Sequence, residues 1–267
     1  MYLIKITVFV ILMLLFVGSI CKAQNRDVEK ENDGDKSEAQ ENTVCDVDPF
    51  YKISHKEVIV PAVLIVYGIT ETILADNYQL LNYRIAQGMA NHGKITIDNI
   101  TQFVPAISVY ALNIAGIQGR HNLLDRTMIA GLSGLFIGTI VNTLKYTTKV
   151  ERPDKSAMNS FPSGHTAIAF LGAEFLRKEY EEVSVWYGIS GYAVAVGTGM
   201  LRMYNNKHWF ADVIVGASVG ILSTKLAYRV YPFLRWRFNK KRNTSERIFF
   251  CPYYDGKQGG ISCSLQL

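Results

Sequence analysis

Residues 128–153 read MIAGLSGLFIGTIVNTLKYTTKVERP, and this stretch decides the fold. It is apolar as far as Leu144 and approaches the ~20 residues that a bilayer crossing needs. Gly131, Gly134 and Gly138 punctuate it. Small residues of this kind let helices approach closely in lipid, and Gly134–Gly138 forms a GxxxG pattern. The chain then turns basic at Lys145, Lys149 and Arg152, and Pro153 closes the run. Working outward, comparable apolar stretches recur at 58–75, 98–117, 163–177, 183–204 and 209–231, with short polar loops between them. The expected fold is an all-α, polytopic membrane helix bundle of about five or six spans. Residues 76–94 are more mixed and read as an amphipathic interfacial helix.

Composition agrees. Of 267 residues, 49% are hydrophobic and 19% charged, which excludes disorder for most of the chain. The net charge of +5 sums over segments on different sides of a bilayer, so it does not argue for nucleic acid. Four cysteines (Cys21, Cys45, Cys251, Cys263) are too few for a disulfide scaffold, and no spacing suggests a metal site or cofactor. Cys251 and Cys263 flank a turn-rich stretch where a short hairpin would bring the two thiols together, either as a bonded pair or equally as an unbonded, buried pair.

Residues 1–23 carry Lys5, an apolar run from Ile6 to Ile20, and Ala23 at the end, the pattern of a cleaved secretory signal peptide. Residues 24–57 follow with ten acids against five bases, a solvated arm. Residues 58–232 form the membrane domain and 233–267 a basic tail. Arg120 and Arg126 in the 118–127 loop, and Arg235, Arg237, Lys240, Lys241, Arg242 and Arg247 in the tail, mark one face as cytoplasmic. The ends near 148, 163 and 202–208 then face the periplasm of a bacterial inner membrane. A full crossing at 58–75 would break this parity if 24–57 lay outside; Pro61 and Glu71 suggest a re-entrant or interfacial helix there.

Three motifs collect on that outward face. Lys145 and Arg152 lie seven apart, two helical turns, so a continued helix would put both on one side. Phe161-Pro162-Ser163-Gly164-His165 opens the next span. Its first amides would be positively polarised and suited to a phosphate, and Gly164 would let a ligand approach the backbone. Arg202 precedes His208 and Asp212, an i, i+4 pair in which the carboxylate would fix the imidazole tautomer and leave the other ring nitrogen as nucleophile. Taken singly, each motif has an ordinary structural reading: snorkelling bases, a helix start, a helix cap. Together, three cations, a helix amino end, two histidines and a carboxylate would hold a phosphoryl group and work on it without a metal. One histidine attacks and the other gives a proton to the leaving oxygen.

Lys145-x6-Arg152-Pro153, Pro162-Ser163-Gly164-His165 and Arg202-x5-His208-x3-Asp212 together resemble the three-part signature of the type 2 phosphatidic acid phosphatase superfamily, over roughly residues 58–232. The resemblance implies an all-helical membrane bundle, with a pocket shared with the soluble vanadate-dependent haloperoxidases, and a phosphohistidine intermediate. It implies His208 as nucleophile, Asp212 as its orienter and His165 as general acid. It also implies Lys145, Arg152, Ser163, Gly164 and Arg202 as phosphate ligands. Leu201 departs from the pattern, where Ser is usual. Within the superfamily the chain looks most like the lipid A phosphatases of Gram-negative bacteria, with a lipid phosphate as substrate and membrane lipids as surroundings. Undecaprenyl pyrophosphate or phosphatidylglycerol phosphate are alternative substrates. A head-group binding protein without turnover is the non-enzyme alternative, and a haloperoxidase is disfavoured by the apolar spans.

Overall fold

The computed structural model describes residues 55–73, 95–243, 247–254 and 259–266. The signal peptide expected at 1–23, most of the arm at 24–57 and all of the interfacial helix expected at 76–94 lie outside them. Among the described residues the chain forms α1 (His55–Ile73), α2 (Asp98–Thr101), α3 (Val104–Ile114), α4 (Leu123–Thr148), α5 (Gly164–Tyr180), α6 (Val185–Tyr204) and α7 (Phe210–Asn243). Strands β1 (Arg247–Tyr254) and β2 (Gly259–Gln266) follow. The bundle is all-helical, and its boundaries follow local chemistry. Asn122, Ser163 and Ser184 cap α4, α5 and α6, their side chains accepting from the amides of Asp125, Thr166 and Trp186. Pro105 sits at the start of α3, where a missing N–H costs nothing.

α5 is the axis of the bundle, with α3, α4, α6 and α7 packed around it. Ala167, Ala169, Ala173 and Phe175 on it are fully buried. α4 turns Ile129, Ser133, Ile137, Val141 and Leu144 inward, a stripe at helical spacing that meets the core. Gly131, Gly134 and Gly138 fall on the other face, where an added Cβ would meet nothing within 4 Å. That face bears a shallow groove of about 560 Å3 lined by Gly134, Leu135, Gly138, Asn142 and Tyr146. Among the described residues, the GxxxG of α4 therefore packs against no other helix. Gly216 and Gly220 on α7 do: a Cβ at Gly216 would stand 2.5 Å from the Ser163 carbonyl oxygen, and one at Gly220 would collide with the Ala167 carbonyl. Direct backbone contact between α5 and α7 requires glycine there.

α4 and α7 (to Arg235) are long and apolar enough to cross a membrane. The bundle's outer surface is correspondingly apolar, with Ile59 and Val63 on α1, Ile107 on α3, Leu124 and Leu135 on α4, and Trp186 and Ile189 on α6 all exposed. A soluble protein rarely leaves so much contiguous apolar surface in water. α5 is shorter and bears ionised groups, which the fold buries in pairs. Glu174 accepts from both Nε and Nη2 of Arg177, at 2.9 and 2.7 Å. Glu179 accepts from the His121 ring at 2.8 Å, Arg126 Nε at 3.2 Å and Tyr228 at 2.6 Å.

This cluster corrects one expectation: Arg126 is no loop residue marking the cytoplasmic face but a buried partner of Glu179, 1% exposed, inside α4. It also defines two ends of the bundle. The Glu179 cluster lies at one end; the finish of α4, the start of α5, the finish of α6 and the start of α7 gather at the other. α1 packs along α7 with Gly68 against Val215 and the Ala211 carbonyl, so it runs from the Glu179 end toward the other end. The hairpin pairs Cys251 with Ser262 and Cys263 with Phe250, so the two cysteines are not cross-strand partners.

Candidate active site

The end remote from Glu179 is built around a linker, residues 149–163, clipped onto the α6–α7 turn. α4 stops at Thr148 because Lys149 adopts a left-handed conformation (φ 45°) and its amide bonds back to Lys145. Arg152 is thus not on the helix two turns past Lys145, as the spacing suggested. Its amide bonds to the Ala157 carbonyl, and the linker's fold returns it to the pocket. The Asp154 amide donates to the Asn206 carbonyl at 3.1 Å, and the Trp209 indole to the Glu151 carbonyl at 2.8 Å. Lys207 Nζ meets Asp154 Oδ2 at 2.5 Å. Partial burial pushes the Asp154 carboxyl up, but the bonds from Lys207 and Ser156 outweigh it and hold its pKa at about 2.

Ser160 joins the linker to the two central side chains. Its carbonyl accepts from His208 Nδ1 at 2.8 Å, and its hydroxyl donates to Asp212 Oδ2. A carbonyl can only accept, so the proton sits on Nδ1 and the lone pair on Nε2. Asp212 Oδ2 is 3.6 Å from Nδ1, beyond hydrogen-bond reach. The tautomer is therefore set by the Ser160 backbone, a partner the sequence did not reveal, while Asp212 holds Ser160. α7 begins at Phe210, so His208 precedes the helix rather than sharing its face with Asp212. Asp212 sits at the third helical position and accepts from the Trp209 amide at 2.9 Å, half of a capping box. His208 is 3% exposed, and burial pushes its pKa below the ordinary 6.5 despite the nearby carboxylate, so it is neutral at pH 7.

The cations converge. Lys145 feels the charges of Arg152, Arg202 and Asp212, and His165 those of Arg202, Asp98, His208 and Lys145. Lys145 Nζ donates to the Asn159 carbonyl at 2.6 Å. Arg202 Nη1 meets Asp98 Oδ2 at 2.6 Å. Yet the Nε–H groups of Arg152 and Arg202 are buried without an acceptor among the described residues. Such orphan donors are rare in folded proteins and suit an anion. Ser163 differs from expectation. It is fully buried, its hydroxyl meets Thr166 Oγ1 at 2.9 Å, and its amide donates to the Asp212 carbonyl at 3.0 Å. Its hydroxyl serves as a helix cap, and the first-turn amides of α5 at Gly164 and His165 become the donors that the pocket offers. Among the described residues, a Cβ at Gly164 would touch only Val141 Cγ1, at 3.8 Å, so no packing among them demands that glycine. His165 Nε2 lies 3.0 Å from Asn99 Oδ1 on α2. Asn99 and Asp98 carry no motif signal; only their position beside the pocket marks them. Among the described residues no three His, Cys, Asp or Glu side chains gather as a metal site would require.

A lipid A 1-phosphatase of Porphyromonas gingivalis is 42% identical over 133 residues, covering 49% of this chain and 30% of the relative. The chain thus spans about a third of that relative's length. Two crystal structures align with parts of the chain. Aquifex aeolicus LpxE has a TM-score of 0.45 at 20% identity, covering 57% of this chain and 96% of that one. A transmembrane PAP2 type phosphatidylglycerolphosphate phosphatase of Bacillus subtilis has a TM-score of 0.39 at 21% identity, covering 68% and 96%. The family model of the PAP2 superfamily matches residues 126–236, which contain Lys145, Arg152, His165, Arg202, His208 and Asp212. Over that segment the chain is similar to the PAP2 superfamily.

Proposed function

We propose that this protein is a membrane-embedded phosphatase that hydrolyses a phosphate monoester on a lipid. The observation that carries the reading is the His208 imidazole: buried, neutral, its Nδ1–H held by the Ser160 carbonyl, its Nε2 lone pair left for attack. Nε2 attacks phosphorus, the ester P–O bond breaks, and the departing oxygen takes a proton from His165. Water, deprotonated by the same His165, then cleaves the phosphohistidine and releases inorganic phosphate. Lys145, Arg152, Arg202 and the amides of Gly164 and His165 neutralise the phosphoryl oxygens through both steps, the work that metal ions do in other phosphotransfer enzymes.

A lipid A phosphate is the substrate class that the Porphyromonas gingivalis relative supports; undecaprenyl pyrophosphate and phosphatidylglycerol phosphate are the alternatives. We place the chain in a bacterial inner membrane as a multi-pass bundle with its site facing the periplasm. The bases in the last turns of α7, from Arg235 to Arg242, lie at the end remote from the site, which supports that sidedness. α1 begins at that same remote end, so its first turn shares a side with the last turns of α7. A cleaved signal that exports residues 24–57 conflicts with a periplasmic site, and of the two we keep the periplasmic site.

The test is purified protein with a lipid phosphate, followed by release of inorganic phosphate and by acid-stable and base-stable labelling. A phosphoenzyme that is stable to base and labile to acid, and lost in His208→Ala, is the expected result. Turnover above a few per cent of wild type in His208→Ala refutes the assignment.

A further inference from the structure

His165 is the group that delivers a proton, and its ring is held by a residue outside the three motifs. Asn99 Oδ1 lies 3.0 Å from His165 Nε2. Because the amide oxygen accepts, the contact requires a proton on Nε2 and leaves Nδ1 as the nitrogen available to the site. α2, which carries Asn99, is tied to α6 and the turn after it at several points. Asp98 Oδ2 holds Arg202 Nη1 at 2.6 Å, and Thr198 Oγ1 donates to Thr101 Oγ1 at 2.9 Å. The Asn205 side chain bonds both backbone groups of Ile95, at 2.7 and 3.0 Å. Gln102 Nε2 also donates to the Asn99 carbonyl at 2.8 Å. A side chain on an element anchored this way can fix its partner's orientation before substrate arrives.

We propose that Asn99 is a positioning residue for His165, its amide oxygen holding Nε2–H and so aiming Nδ1 at the leaving oxygen. The proposal rests on the phosphatase reading above. As the ester P–O bond breaks, its electron pair stays on the leaving oxygen and the Nδ1 proton moves to that oxygen. The Nε2–H···Oδ1 bond persists on both sides of the transfer and is stronger to the imidazolium than to the neutral ring. The charged and titratable groups facing His165 are Asp98 from α2, Lys145 from α4, Arg202 from α6 and His208 from the following turn. Lys145 and Arg202 oppose an imidazolium, Asp98 favours it, and the neutral His208 adds no charge. A neutral acceptor on Nε2 therefore favours the protonated ring without adding a charge that would repel phosphate.

The experiment compares Asn99→Ala and Asn99→Asp on an alkyl lipid phosphate and on 2,4-dinitrophenyl phosphate. Asn99→Ala should lower kcat on the alkyl ester about tenfold, the loss of one hydrogen bond to a charged group at the pocket's exposed rim. KM should stay within about twofold. On the dinitrophenyl ester, whose leaving group needs no proton, the loss should be under about twofold. Asn99→Asp keeps an acceptor and adds charge, so it should recover alkyl-ester turnover and move the alkaline limb of the pH profile to higher pH. Equal losses on both esters, or an Asp variant as slow as Ala with an unmoved limb, overturn the proposal. Wild-type protein that cleaves neither ester sinks the phosphatase reading instead. The NMR titration of 13C-labelled His165 in wild type and Asn99→Ala then decides the contact itself, and an unchanged titration overturns it.

Discussion

Replacing Gly216 by Ala tests how tightly the site depends on helix packing. The added methyl would stand 2.5 Å from the Ser163 carbonyl oxygen, while ordinary contact begins near 3.4 Å. The two backbones must part by about 1 Å, because neither atom belongs to a side chain that can rotate away. Overpacking of this kind costs about 1–3 kcal/mol, which corresponds to a fall of roughly 2–10 °C in apparent Tm for a chain of this size. Activity should suffer more than stability. Ser163 caps the helix whose first amides and His165 would face the phosphoryl group in the proposed reaction, and its amide is bonded to the Asp212 carbonyl. A misplacement of about 1 Å in a reacting constellation can cost on the order of a hundredfold, so kcat should fall about ten- to hundredfold. Gly138→Ala is the control. Its methyl meets nothing within 4 Å, and exchange of Gly for Ala inside an exposed helix should stabilise by up to about 1 kcal/mol with turnover unchanged. Tm in detergent and phosphate release from a lipid phosphate are measured on the same preparations. Wild-type turnover and Tm in Gly216→Ala would refute the backbone contact and the coupling argued from it.

Three further outcomes are expected. Protonation of His208 Nε2 removes the nucleophile, and burial depresses that pKa, so the acid limb of kcat/KM should lie below pH 6.5; a limb at or above it would show a solvated ring. Asp154, held at about 2 against an ordinary 3.8, contributes stability that is present above pH 3.8 and lost as pH falls through about 2, so Asp154→Asn should destabilise the detergent-solubilised protein at pH 7 and have little effect at pH 2. Cysteines introduced at positions 156, 121 and 54 report sidedness: an impermeant thiol reagent should label 156 in outer-membrane-permeabilised cells and spare the other two, and labelling of 54 together with 156 would break the antiparallel packing of α1 on α7.

Much of this protein was legible in its residues because the signals were local. The apolar stretches at 128–148, 183–204 and 209–231 fall on α4, α6 and α7, since an amide in hydrocarbon has only its own helix to bond to. The start of α5 was legible too, because Ser163 caps through a bond three residues away. The chemistry of Lys145, Arg152, His165, Arg202, His208 and Asp212 belongs to the side chains themselves. What only the tertiary structure decided is which group meets which across elements. Ser160 rather than Asp212 fixes the His208 ring, Asn99 holds His165, Asp98 holds Arg202, and Glu179 buries Arg126. Each of these contacts joins residues about fifty to a hundred apart, and a hydrogen bond is won or lost within a few tenths of an ångström. The same reason separates the two glycine pairs. Gly134–Gly138 and Gly216–Gly220 share one spacing, but a helix has several faces, and only the rotation of α4 and α7 about their axes determines which glycines touch another backbone.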